Sequence, residues 1–218
     1  MECLRLSWPL HCFMDKDGIP FVTVPLLIAA FLFLFGLWYF SVAFILLALF
    51  MAFFFRNPSR AVPTEPGLII SAADGKVTRV EDTPEGKLVS VFLSPLDVHL
   101  NRAPIAGIVT DVQKFKGLKR PATSNKASAT NERNSITVEG DGIKVVCTQI
   151  VGILARRIVC RCEIGDVLKR GEVYGLIKFG SRTDLLMPLS VEVCVKVGEK
   201  VKGGETVIAR YATGETGE

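Results

Sequence analysis

The sequence predicts a mainly β domain that follows an N-terminal hydrophobic helical hairpin. Three observations predict it. Residues 19–55 form a run of 37 positions without one charged side chain. Between about residues 66 and 212, Val, Ile and Leu alternate with polar residues, and Gly or Pro breaks the pattern every eight to twelve positions or so. A nine-residue pattern also occurs twice near the C-terminus.

Taken in order, residues 1–18 are mixed and polar, with Arg5, Asp15, Lys16 and Asp17. The apolar run that follows exceeds the ~20 residues of a straight membrane span. It also exceeds the roughly 7–15 apolar residues of a cleavable signal peptide. Gly36 lies near its middle, just before Trp38 and Tyr39, side chains that favour a membrane interface. The run therefore reads as two short helices, about 21–35 and 39–55, that span or re-enter a bilayer; one long tilted helix is the alternative. A hairpin places Lys16, Arg56 and Arg60 on one side, which the positive-inside rule makes cytoplasmic. This predicts a cell-membrane protein with a polar segment 1–18, a membrane-inserting segment 19–55 and a β-rich domain 56–218. Pro58, Pro63 and Pro66 stiffen the exit from the apolar run.

The repeat aligns Ile164-Gly165-Asp166 through Gly171-Glu172 with Val197-Gly198-Glu199 through Gly204-Glu205. Each copy has Gly, an acid, then Gly-Glu six residues after the first glycine, at positions suited to positive φ. The pattern resembles the barrel-sandwich hybrid, or lipoyl-like, β architecture, where two related hairpins face each other. In a carrier domain of that kind a lysine occupies the tip of the hairpin between the copies. Here the connecting segment is Lys178-Phe179-Gly180-Ser181, which a fold of this kind can make rigid and exposed.

The net charge of +4 suits an anionic membrane surface and is too weak and diffuse to argue for nucleic acid. The six cysteines contain no Cys-x-x-Cys, and the two histidines are His11 and His99, so no zinc motif is present. Cys160-x-Cys162 on an alternating strand puts both thiols on one face. There is no P-loop and no Gly-x-Gly-x-x-Gly. Residues 114–135 read as a long polar loop with Lys114, Lys116, Lys119, Arg120, Lys126 and Arg133, either a solvated basic loop or a holder of a phosphodiester at a membrane.

Gly180-Ser181 is by itself a common turn. It also suits a peptide bond that must react. Glycine removes the Cβ that would block its carbonyl, and serine sets a hydroxyl beside that carbonyl. A serine needs a base, and His99 is the only histidine after residue 11. A carboxylate commonly fixes the tautomer of such a histidine. Asp74, in Ala73-Asp74-Gly75, and Asp97, two residues before His99, are the candidates.

These segments together, Phe179-Gly180-Ser181, Ser94-Pro95-Leu96-Asp97-Val98-His99, Ala73-Asp74-Gly75 and Asn131-Glu132-Arg133, resemble the phosphatidylserine decarboxylases, in particular their short bacterial and archaeal form. The resemblance covers about residues 55–212. It implies self-cleavage between Gly180 and Ser181 into a β chain (1–180) and an α chain (181–218), with a pyruvoyl group generated from Ser181. That group would form a Schiff base with the serine amine of phosphatidylserine. Carbon dioxide and phosphatidylethanolamine would result, without a metal or diffusible cofactor. His99, Asp74 and Asp97 are the implied helpers, and Lys114, Lys116, Lys126 and Arg133 are candidates for the phosphate. Decarboxylation of a related lipid such as archaetidylserine, a homodimer of processed units, and a non-enzymatic lipoyl-like membrane module stay open. One position departs from the pattern: longer members commonly carry a second histidine three residues after the first, where this chain has Arg102. An arginine stays protonated and cannot act as a base, so His99 is expected to serve both self-cleavage and decarboxylation.

Overall fold

The computed structural model describes residues 13–117, 131–152, 157–178 and 181–212. It divides into two compact units, Met1–Ser59 and Arg60–Glu218.

In the first unit, helix α1 spans Ile19–Leu34 and α2 spans Trp38–Phe54. Gly36, at φ 74°, makes the turn between them, a conformation that costs a residue without Cβ little. Asp15 caps the start, its carboxylate accepting from Asp17 N at 2.9 Å. At the open end, Asp15 N donates to Phe55 O and Asn57 N to Phe13 O, both at 2.8 Å. The two-helix prediction is therefore matched, and the single tilted helix is replaced by a closed hairpin. Small residues line the seam: Ala29, Ser41 and Ala48 are buried, and Ser41 Oγ donates to Ala29 O at 2.8 Å. Large apolar side chains such as Leu27, Phe33, Leu34 and Leu46 point outward. The segment Lys16–Leu34 is long and apolar enough to cross a membrane; Trp38–Phe54 is a shorter apolar helix.

The described residues of the second unit form β1 Leu68–Ile70, β2 Gly75–Thr83, β3 Gly86–Leu93, β4 Leu100–Arg102, β5 Gly107–Phe115, β6 Arg133–Gly140 and β7 Ile143–Val151. There follow β8 Arg157–Cys160, β9 Val167–Leu168, β10 Val173–Lys178, β11 Ser181–Met187, β12 Glu192–Val193, β13 Lys200–Val201 and β14 Val207–Arg210. An eight-stranded sheet has the order β13-β2-β3-β11-β7-β6-β5-β9, and two three-stranded sheets have the orders β1-β14-β12 and β4-β10-β8. Its core includes Val77, Val91, Ile136, Val145 and Leu185, all essentially free of solvent. Burial of each such side chain is worth about 1.5–3 kcal/mol. Thus the mainly β expectation holds, with apolar helices ahead of it.

The sequence repeat is also a structural repeat. Its first copy supplies β9, which pairs Leu168 with Gly107 at one edge of the large sheet; the second supplies β13, which pairs Val201 with Gly75 at the other. Gly165 N donates to Val109 O and Gly198 N to Val77 O, each at 2.8 Å. Six residues on, Gly171 N and Gly204 N donate to Ala103 O and Ser71 O, again at 2.8 Å. All four glycines have positive φ, at 95°, 100°, 80° and 85° in that order. The repeat thus supplies both edge strands of the large sheet, each two residues long, and very short edge strands offer little template for association.

Of the polar stretch 114–135, residues 118–130 lie outside the described residues, and both ends belong to strands where the sequence suggested loop. Lys114 continues β5 opposite Asn134, and Arg133 opens β6 opposite Phe115.

Candidate active site

Ser181 opens β11, an interior strand of the large sheet, with Leu93 of β3 on one side and Val151 of β7 on the other. The residue is fully buried, with an exposure of 0%. The expectation of an exposed reactive segment is corrected at this residue. Its hydroxyl has no hydrogen-bond partner among the described residues, an unusual state for a buried polar group. Phe179 and Gly180 lie outside the described residues.

His99 is delivered by the segment after β3, whose last residue pairs with Ser181. Its main-chain oxygen accepts from Ile177 N of β10 at 3.1 Å. His99 and Ser181 therefore sit at the same end of the domain, where β10 passes toward β11. The imidazole is buried, and Nδ1 is 2.9 Å from the main-chain oxygen of Asp97. A carbonyl only accepts, so Nδ1 carries the hydrogen, and in the neutral ring Nε2 holds the basic lone pair.

The Asp97 carboxylate does something else. It accepts from Ser94 N at 2.8 Å and Ser94 Oγ at 2.6 Å, closing a turn in which Asp97 N donates to Ser94 O at 2.9 Å. The sequence put the Asp97 side chain on the His99 face; the chain turns there instead of running extended, and the main chain of Asp97 meets the ring. Asp74 is likewise committed elsewhere. Arg60 Nη2 contacts both its oxygens, at 2.9 and 2.7 Å, and Gly203 N donates to it at 2.8 Å. Neither carboxylate is the group that holds Nδ1.

Arg102 belongs with Asp74. Its side chain alternates away from Asn101 along β4 and donates from Nη1 to Gly171 O at 3.0 Å. Burial, then the Arg60 guanidinium, push its pKa below the usual arginine range, while Asp74 and Glu205 oppose them. The group stays cationic, and it helps fasten the repeat turn to β4.

A chain of buried amides escaped the sequence reading. Asn134 Nδ2 donates to Gln149 Oε1 at 3.2 Å, Gln149 Nε2 to Asn101 Oδ1 at 2.8 Å, and Asn101 Nδ2 to Thr183 Oγ1 at 2.9 Å. All four residues are buried. Thr183 lies two residues from Ser181 along β11 and so shares its face, and Asn101 lies in β4, two residues after His99. The network ties β4, which follows directly on His99, to β11, which Ser181 opens. The available signal was polar residues at second positions in otherwise apolar strands.

Lys114, Lys116 and Arg133 do come together. With Arg157, which the sequence reading missed, they line a cavity of about 350 Å³ whose wall also includes Phe115, Glu132 and Cys160. Arg133 stacks its guanidinium 4.2 Å from the centre of the Phe115 ring. Arg157 pairs with Lys178 at the end of β10, and Arg133 shares a cross-strand row with Ile150 and Arg182. The cavity therefore opens at the Ser181 end of the sheets. Lys126 lies outside the described residues.

Residues 47–209 match the family model for phosphatidylserine decarboxylase. The chain belongs to the phosphatidylserine decarboxylase family. It is 43% identical over 214 residues to the phosphatidylserine decarboxylase proenzyme of Nocardia farcinica, covering 92% of this chain and 87% of that one. Identity to the proenzyme of Burkholderia ambifaria is 38% over 211 residues, covering 94% and 98%. Identity to that of Oleidesulfovibrio alaskensis is 40% over 203 residues, covering 90% and 93%. Membership in this family makes the chain a carboxy-lyase of phospholipid metabolism. Among the described residues, no three His, Cys, Asp or Glu side chains gather as a metal site.

Proposed function

We propose that this chain cleaves itself between Gly180 and Ser181 and then decarboxylates phosphatidylserine to phosphatidylethanolamine at the membrane. The observation that carries the reading is the buried Ser181 hydroxyl, without a partner among the described residues, at a position directly after Gly180 in sequence and at the head of a central strand. In the proposed maturation Ser181 Oγ attacks the Gly180 carbonyl carbon, and the C–N bond to Ser181 breaks as an ester forms. Loss of the Ser181 Cα proton then breaks the Cβ–O bond and frees residues 1–180 with a terminal carboxylate. Water adds to the dehydroalanine left at 181, ammonia leaves, and a pyruvoyl group remains.

The site fits such a group. Among the described residues the Ser181 hydroxyl has no partner, so its removal breaks no hydrogen bond there, and the position is buried from bulk water. A pyruvoyl ketone supplies an electron sink for a primary-amine substrate that loses carbon dioxide. The His99 tautomer offers Nε2 as the base for maturation and as a proton carrier afterwards. The amide network holds the two strands in register. The cleaved pieces stay together because strands of both interleave: β11 lies between β3 and β7, β14 pairs with β1, and β13 with β2.

The apolar hairpin anchors the chain in the cell membrane, with Lys16 and Arg56 at its ends favouring a cytoplasmic catalytic domain. The cavity of Lys114, Lys116, Arg133 and Arg157 holds the lipid phosphodiester. Arg157→Ala is expected to raise KM for phosphatidylserine in mixed micelles about tenfold with kcat nearly unchanged, one lost charge-assisted hydrogen bond. A fall in kcat at constant KM would place Arg157 outside lipid binding.

Intact mass of the purified protein tests the central step. Two polypeptides, residues 1–180 and 181–218, are expected, the smaller one resistant to N-terminal sequencing and reactive toward a carbonyl reagent. A fully active chain of uncut mass would overturn the reading.

A further inference from the structure

Cys160 and Cys162 play no part in the proposed reaction, yet their sulfurs lie 3.4 Å apart. Cys160 is half-buried at the end of β8 and lines the basic cavity, while Cys162 is buried behind it. We propose that this pair is a redox-active dithiol that takes an anionic low-molecular-weight disulfide as its oxidant and closes to an intramolecular disulfide.

Geometry carries the argument. The two sulfurs need approach by only about 1.4 Å to reach a disulfide bond length. One of them faces a cavity wide enough for a small molecule, and the other is placed to resolve a mixed disulfide on the first. Cys147, by contrast, is buried and pushed up by burial, which makes it inert.

Electrostatics agrees with this division of labour. The hydrogen bond from Cys162 lowers the Cys160 thiol to about 6 against the effect of burial, with help from the Asn134 amide and the Lys114 charge. The same bond and burial push Cys162 up, and Asp166 adds to this. Protonated Cys160 can also donate to Cys162 O at 3.7 Å, a long bond given up on ionisation. Other groups facing the pair are Tyr174, Lys116, Arg133, Arg157 and Glu132. Cations predominate in the cavity and favour both a thiolate and an anionic reagent.

The exchange balances. Cys160 sulfur attacks one sulfur of the small disulfide and expels one thiolate. Cys162 sulfur then attacks Cys160 sulfur and expels the second. The two cysteines together lose two electrons, the small disulfide gains them, and the cysteine protons end on the released thiols.

Trypsin offers a direct readout, since it cuts after Arg157, Arg161 and Lys169 and so separates the two cysteines. The full-length protein is incubated at pH 7 with oxidised glutathione or with cationic cystamine, then digested without reductant. Peptides 158–161 and 162–169 are expected as one linked species of combined mass less two hydrogens. It should form about tenfold faster with oxidised glutathione at low salt, and the advantage should shrink at high salt. Cys162→Ala should stop at a mixed disulfide on Cys160. In that variant the half-maximal pH for iodoacetamide labelling of Cys160 should rise from near 6 toward the ordinary thiol range. Separate peptides after oxidation of the wild type, or equal rates with the two reagents, would overturn the proposal. The wild-type digest decides the matter even if the variant does not accumulate.

Discussion

Ser181→Ala is expected to purify as one uncut chain of 218 residues that releases no carbon dioxide from phosphatidylserine. The expected loss is complete, because the same hydroxyl both breaks the chain and becomes the working carbonyl. Folding should survive. The Ser181 side chain is fully buried and its hydroxyl has no hydrogen-bond partner among the described residues, so its removal leaves no polar group stranded. A buried hydroxyl without a partner opposes folding by about 1–3 kcal/mol, and the variant should melt no lower than an uncut wild-type chain. This combination separates chemistry from stability. An uncut, inactive and unfolded variant would leave the role of Ser181 to a chemical probe of the wild type. There, reduction of the carbonyl with borohydride should abolish turnover without loss of fold. Cleavage of the alanine variant at the same bond would exclude Ser181 as the attacking group.

Much of the fold was legible because its signals are local. An uncharged run with Gly36 at its centre can satisfy its backbone only as helices, and Gly36 supplies the positive φ of the turn. The repeated glycines announced two matching turns, and the structure shows them with matching hydrogen bonds. The site was legible as a set of residues and much less as a set of contacts. Asp97 is two positions from His99, and alternation in an extended strand predicts a shared face. The Ser94–Asp97 hydrogen bonds turn the chain instead, and no propensity argument would forecast that the main-chain oxygen takes the place of the carboxylate. Asp74 found Arg60 across 14 positions of sequence, and Asn101 found Thr183 across 82. Such pairings depend on which sheets pack together. The place of Ser181 inside the sheet is non-local as well, since its neighbours β3 and β7 are remote in sequence.

His99→Gln is the second large effect expected. Glutamine keeps a polar side chain of similar reach but cannot take a proton at neutral pH. Self-cleavage, followed by intact mass after synthesis, should slow by about 10²–10⁴-fold, the usual range for loss of a general base. Decarboxylation per carbonyl-bearing molecule should fall by a similar factor. Both losses together support a single histidine serving both steps, which Arg102 at the next candidate position makes necessary unless a carboxylate or water acts instead. Normal cleavage with lost decarboxylation would restrict His99 to the second step and return the first to another base. The route by which His99 is held gives a companion test. Its Nδ1 meets the Asp97 main-chain oxygen, whereas the Asp97 side chain only closes the turn onto Ser94. Asp97→Asn keeps an acceptor for Ser94 and keeps the main-chain oxygen, so both rates should stay within a few-fold of wild type. Asp97→Ala removes the turn bonds, so it should slow both steps by letting the segment move, at a stability cost of about 1–2 kcal/mol. A loss in Asp97→Asn as deep as in His99→Gln would mean that the carboxylate charge itself acts on the ring, against the main-chain arrangement.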